Sequence, residues 1–92
     1  LKENVPFTRT QLAQYLTQNK IGNRMLFGGN LIRQPAMVQL KADYPDSMRI
    51  IGELRGADRL MNQCVFIGTF PGLSKPMLDY TIEKIHQFCK KF

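Results

Sequence analysis

The chemistry this chain could do is concentrated in the stretch Asn23-Arg24-Met25-Leu26-Phe27-Gly28-Gly29-Asn30-Leu31-Ile32-Arg33-Gln34-Pro35. A short apolar strand carrying Arg24 runs into Gly28-Gly29, where a chain without side chains can bring its backbone close to a ligand. Arg33 follows shortly after. A guanidinium is a planar fork of donors that grips carboxylate or phosphate through two bonds at once. This is binding chemistry. No Cys–His nucleophile pair, no Gly-x-x-x-x-Gly-Lys phosphate loop and no metal-ligand spacing occurs anywhere in the sequence. The single histidine, His86, stands between Ile85 and Gln87 in a helical pattern, the setting of a surface or boundary residue and not of a general base.

Composition narrows the classes further. Ninety-two residues make one small domain, and 43% hydrophobic residues suffice for a core. The formal charge is +6, with a pI near 9.7. That balance raises a free-standing basic module for nucleic acid or protein as one reading. The basic residues are scattered from Lys2 to Lys91, however, and no aromatic is interleaved with clustered cations as a stacking groove needs. Cys64 and Cys89, 25 positions apart, fit no zinc pattern and read as small buried apolar side chains, reduced thiols of a cytoplasmic protein. No apolar run approaches the roughly 20 residues of a membrane span. Leu1-Lys2-Glu3-Asn4 carries neither a leader-like apolar segment nor an initiator Met, so the chain is expected to be cut from a longer one.

The elements that must position these residues follow from spacing. Thr8 and Gln11 form a capping box for a helix over 9–19, with Phe7 and Leu12 as a staple and Asn19 and Gly22 as stop signals. A strand over 23–27 ends at the glycines. Asn30 caps a helical turn through Arg33, which Pro35 soon limits. Residues 37–47 read as irregular with a turn at Tyr44-Pro45-Asp46-Ser47, and 48–54 as a short extended segment. A short helix is expected over 57–62, with Asp58 near its positive end. The apolar run 64–70 predicts a strand covered on both faces, and Pro71-Gly72 the centre of a type II turn. Ser74 opens the last helix, whose stripe Leu78, Ile82, Ile85, Cys89 and Phe92 predicts a core face. The outcome is an α+β fold, a small two-layer domain of helices on a short sheet. Two strands make a marginal sheet, so a third, upstream of Leu1, is expected to complete it, leaving an unpaired edge without it.

The stretch Lys20 to Pro35 resembles the small-domain motif of the DegT-like, fold-type-I enzymes dependent on pyridoxal phosphate, the nucleotide-sugar aminotransferases and dehydrases. Asp58-Arg59-Leu60-Met61-Asn62-Gln63, Phe66-Ile67-Gly68-Thr69-Phe70-Pro71-Gly72-Leu73 and Met77-Leu78-Asp79-Tyr80 continue the likeness over nearly all 92 residues. Gly-Gly-Asn-Leu-Ile-Arg-Gln-Pro is most similar to the CDP-4-keto-6-deoxyglucose 3-dehydrase branch, which makes dideoxysugars for bacterial lipopolysaccharide O-antigens. Plain aminotransferases carry a histidine where Ile32 stands here.

The resemblance implies that residues 1–92 are the C-terminal small domain of a larger, generally homodimeric enzyme whose large cofactor-binding domain lies upstream. That parent uses pyridoxamine phosphate at the sugar C4 ketone, a histidine in place of the Schiff-base lysine, and a [2Fe-2S] cluster fed by a reductase, to remove the C3 hydroxyl of a CDP-sugar. Those parts lie outside this chain, which is expected to bind no cofactor and to be inert alone. The resemblance implies that Arg59 faces the active site, with Arg24 and Arg33 near the cleft, Gly28 and Gly29 allowing close approach, and Asn30 offering its amide to a sugar hydroxyl. The plainer alternatives are an edge-strand arginine at 24, a tight turn at 28–29, and Arg59 paired with Asp58 or Glu53.

Overall fold

A computed structural model describes residues 1–92, the whole chain. Helix α1 (Arg9–Gln18) starts at the expected capping box: Gln11 N donates to Thr8 Oγ1 (3.2 Å) while Thr8 N donates to Gln11 Oε1 (2.7 Å). Its end differs from expectation. Asn19 is the cap, but the left-handed residue that turns the chain is Lys20 (φ 60°), not Gly22. Ile21 N donates to Leu16 O (2.9 Å) and Lys20 N to Thr17 O (3.0 Å), a Schellman closure whose two apolar residues, Leu16 and Ile21, are both buried.

Strand β1 (Asn23–Met25) pairs antiparallel with strand β2 (Val65–Ile67), Arg24 opposite Phe66. Both are shorter than the apolar runs suggested. Phe66 and Ile67 stay exposed, so the expected double cover of the second strand is absent, and each strand keeps one unpaired edge. Asn23 fastens β1 to α1 through its amide, which donates to Thr17 Oγ1 (3.0 Å) and Ala13 O (3.3 Å).

Between the strands lie a 3-10 turn (Leu31–Arg33), helix α2 (Pro35–Asp43), a second 3-10 turn (Pro45–Ser47) and helix α3 (Arg55–Gln63). The irregular reading of 37–47 is corrected by α2: Pro35, read as a limit, sits in the first turn, where its missing N–H costs nothing. The extended reading of 48–54 is corrected too. Gly52 (φ 73°) and Leu54 (φ 52°) are left-handed, which no strand tolerates. Helix α3 begins two residues earlier than predicted and ends one later. Phe70–Leu73 closes as a turn, with Leu73 N donating to Phe70 O (3.1 Å), but Gly72 is not at positive φ, so the type II geometry is absent. A Cβ there would meet the edge of the exposed Phe70 ring at 2.7 Å, so that ring would have to swing aside.

Helix α4 (Lys75–Cys89) lies against α1. Phe88 is only 4% exposed, with the rings of Phe7 (4.9 Å), Tyr15 (5.0 Å) and Phe92 (5.1 Å) around it. Tyr80 Oη donates to Asn19 O (3.1 Å). The predicted core stripe is displaced: Leu78, Ile82 and Cys89 are exposed, while Thr81, Lys84, Ile85 and Phe88 form the covered line. The fold is thus the expected small α+β arrangement, with a core confined to Ala13, Leu16, Ile21 and Phe88.

Candidate functional site

Four of the six residues singled out by sequence meet at one place. Gly29 N donates to Leu26 O (2.8 Å), closing a turn with Gly29 at φ 63°. A Cβ on Gly29 would run into Met61 Cγ, so the turn backbone packs directly against α3. Asn30 is 2% exposed; its Oδ1 accepts from Ile32 N (3.4 Å), capping the 3-10 turn as expected, and its Nδ2 donates to Asp58 Oδ1 (2.9 Å). Arg33 grips the same carboxylate through both ends of its fork, Nε to Oδ1 at 2.6 Å and Nη2 to Oδ2 at 2.8 Å. Gln34 adds a bond from Nε2 to Gly28 O. The turn is therefore knotted to α3 through Asp58.

The knot has an electrostatic signature. Hydrogen bonds from Arg33 and then Asn30 hold the Asp58 carboxyl down at about 2, and Arg33 is raised above its ordinary value by the bond it donates to Asp58. Sequence reading placed Asp58 only as a charge suiting a helix N-terminus and as an optional partner for Arg59. Its position beside Arg59 in the Asp-Arg-Leu-Met-Asn motif was the one available signal, and nothing in the spacing linked it to Arg33, 25 residues away.

Arg59, next along α3, is held differently. Its Nη1 lies 4.0 Å from Glu3 Oε1, and both side chains are exposed, so this pair holds it only loosely. Neither Asp58 nor Glu53 pairs with it: Asp58 belongs to Arg33, and Glu53 meets Arg55. Arg24 is exposed on β1 and donates from Nη1 to the carbonyl of Asn23 (2.9 Å). Arg9, missed by sequence reading, donates to Met61 O and so braces α3 from α1.

The arrangement offers one loosely held guanidinium, a rigid glycine turn and the exposed ring of Phe27, 90% accessible. It offers no nucleophile–base pair. The amide of Asn30 and the fork of Arg33, both expected near substrate, are spent on Asp58. The largest groove, about 670 Å³, lies elsewhere, between the ends of the strands and α4, lined by Ile21, Ile67, Phe70, Met77 and Tyr80 among others. None of the six residues lines it. No three His, Cys, Asp or Glu side chains gather around one point, and two cysteines do not supply the ligands of an iron–sulfur cluster, so these residues do not fit that group. No helix is long and apolar enough to cross a membrane.

No protein-family model matches the chain. Two curated proteins do. The lipopolysaccharide biosynthesis protein RfbH of Salmonella typhimurium is 44% identical over 88 residues, 96% of this chain. The dTDP-4-dehydro-2,6-dideoxy-D-glucose 3-dehydratase of Saccharopolyspora spinosa is 36% identical over 85 residues, 92% of this chain.

Both are homologues of this chain.

The matched stretch is 19% of the Salmonella protein and 17% of the Saccharopolyspora one, so the chain spans less than a fifth of the length of the curated relatives it matches. The likeness to RfbH and to the 3-dehydratase runs through both segments of the knot, Gly28–Arg33 and Asp58–Met61, because it omits so few of the 92 residues.

Proposed function

We propose that this chain is the small, substrate-side domain of a nucleotide-sugar 3-dehydratase of lipopolysaccharide dideoxysugar synthesis. The observation that carries the reading is similarity along 96% and 92% of the chain to an RfbH protein and to a 3-dehydratase. Ile32, standing where plain aminotransferases of the resembled family place a histidine, supports dehydration over amino transfer. The nucleotide in the Saccharopolyspora enzyme's name is dTDP, whereas the Gly-Gly-Asn-Leu-Ile-Arg-Gln-Pro likeness implies CDP. Chemistry at C3 of a nucleotide sugar is the common element.

In this reading pyridoxamine phosphate and the [2Fe-2S] cluster are held by polypeptide outside these residues, in a cytoplasmic homodimer that draws electrons from a reductase. This chain contributes a wall. The Asp58 knot keeps Gly28 and Gly29 rigid, and Arg59, loosely paired, is the guanidinium available for a phosphate of the nucleotide.

Replacing the matched segment of the Saccharopolyspora 3-dehydratase by this chain tests the reading. The graft is expected to dehydrate its sugar, with the C3-deoxy product followed by NMR. Arg59→Ala should raise KM about 10- to 100-fold with a smaller change in kcat, the range for a charge-assisted bond to phosphate. A folded graft without activity, or an Arg59→Ala graft with unchanged KM, rejects the activity or the role of Arg59 respectively.

A further inference from the structure

Helix α2 has a composition at odds with its surroundings. Pro35, Ala36, Met37, Val38, Leu40 and Ala42 take up most of its circumference, and only Gln39 and Asp43, joined by a hydrogen bond of 2.9 Å, share a polar side with Lys41 standing apart from them. An apolar surface that wide is built to be covered. Yet none of its nine residues is buried, and its main neighbours are the two 3-10 turns that flank it. The exposure continues outward through Phe27, Leu31 and Tyr44.

The whole molecule carries the same mismatch. Its accessible surface is 7353 Å², against about 5,500 Å² for a compact monomer of this mass. The excess, about 1,900 Å², is the contribution of one side to a large obligate interface; a standard interface covers only about 800 Å² per partner. What covers this surface must therefore be large. More than four fifths of each relative's length lies outside the matched stretch, which supplies a body of that size.

Building on the reading above, we propose that α2 and its flanking turns are a docking arm, clasped in an apolar cleft of the polypeptide that forms the remaining four fifths of the enzyme.

Hydrogen exchange decides the matter. Amides of residues 36–43 are compared in the free 92-residue chain and in grafts that put this chain into RfbH and into the Saccharopolyspora 3-dehydratase, the second host serving if the first does not fold. Exchange in a folded graft should be slower than in the free chain by about 100-fold or more. Val38→Glu with Leu40→Glu should abolish that protection while α4 stays protected, which separates lost docking from lost folding. Equal exchange in the free chain and the graft overturns the proposal. So does protection in the free chain that grows with concentration, the mark of a second copy. The activity reading fails separately: a protected but inactive graft leaves the arm and removes the dehydratase, and an active but unprotected graft does the reverse.

Discussion

At Asp58 one carboxylate organises the candidate site, and its acid behaviour follows from what it accepts. The bonds from Arg33 and Asn30 hold it at about 2, below the ordinary 3.8. Between those values the unfolded chain takes up a proton that the folded chain refuses. The knot therefore contributes its full stability above about pH 4 and loses it as pH falls toward 2. Carboxyl NMR should place the Asp58 midpoint near 2, and Asp58→Asn should flatten the stability curve over that window; a midpoint near 4 would show that the fork does not close in solution. Gly29 tests the same knot sterically. An alanine there must hold φ 63° and push its Cβ into Met61, so Gly29→Ala should destabilise by about 2–4 kcal/mol in urea titration. Sequence made the glycines, Asn30 and the arginines legible as residue types able to meet a ligand. It could not tell which of them the fold would use up, because that depends on a carboxylate 25 residues away from Arg33.

Elements were readable where their signals are local. The capping box at Thr8 and Gln11 and the turn capped by Asn30 each depend on neighbours within four residues, and each forms; α4 does start after Ser74, but the serine side chain makes no cap bond there. Where burial was used to infer structure, the inference failed in part: the run 64–70 gave a three-residue strand, and Leu78, Ile82 and Cys89 of the expected stripe turned outward while Ile85 stayed covered. Apolar pattern says that a face will be covered, not what covers it. Helix α2 was missed for a related reason, since its apolar residues gather on no single face and give no period to detect. The Schellman closure of α1 carries its own prediction. Lysine in the left-handed position is strained where glycine is not, so Lys20→Gly should stabilise by about 0.5–1 kcal/mol. In a domain this small that is a rise in Tm of about 4 °C by calorimetry. An unchanged or lower Tm would place Lys20 outside the left-handed region in solution.

Across the whole molecule, extension outweighs packing. The Cα radius of gyration is 17.3 Å, against about 12 Å for a compact domain of this length, and the long axis reaches 52 Å. Apart from the Arg33–Asp58 knot, charge adds little to hold it together: the exposed pairs Arg55–Glu53, Lys75–Asp79 and Arg59–Glu3 are each of the kind that contributes about 0–1 kcal/mol. Stability of the free chain thus falls to four buried apolar side chains and the ring cluster around Phe88. Unfolding such a chain exposes little that was hidden, and the urea dependence of unfolding scales with newly exposed surface. The 92-residue chain alone should unfold broadly, with an m-value below about 1 kcal/mol/M, and should bind an apolar dye before any denaturant is added. Grafted into a relative, the same residues should lose the dye signal and unfold with their host. An isolated chain with a steep transition and a scattering radius near 12 Å would mean that α2 and α4 fold back onto their own sheet, and that the outward apolar faces close without any other polypeptide.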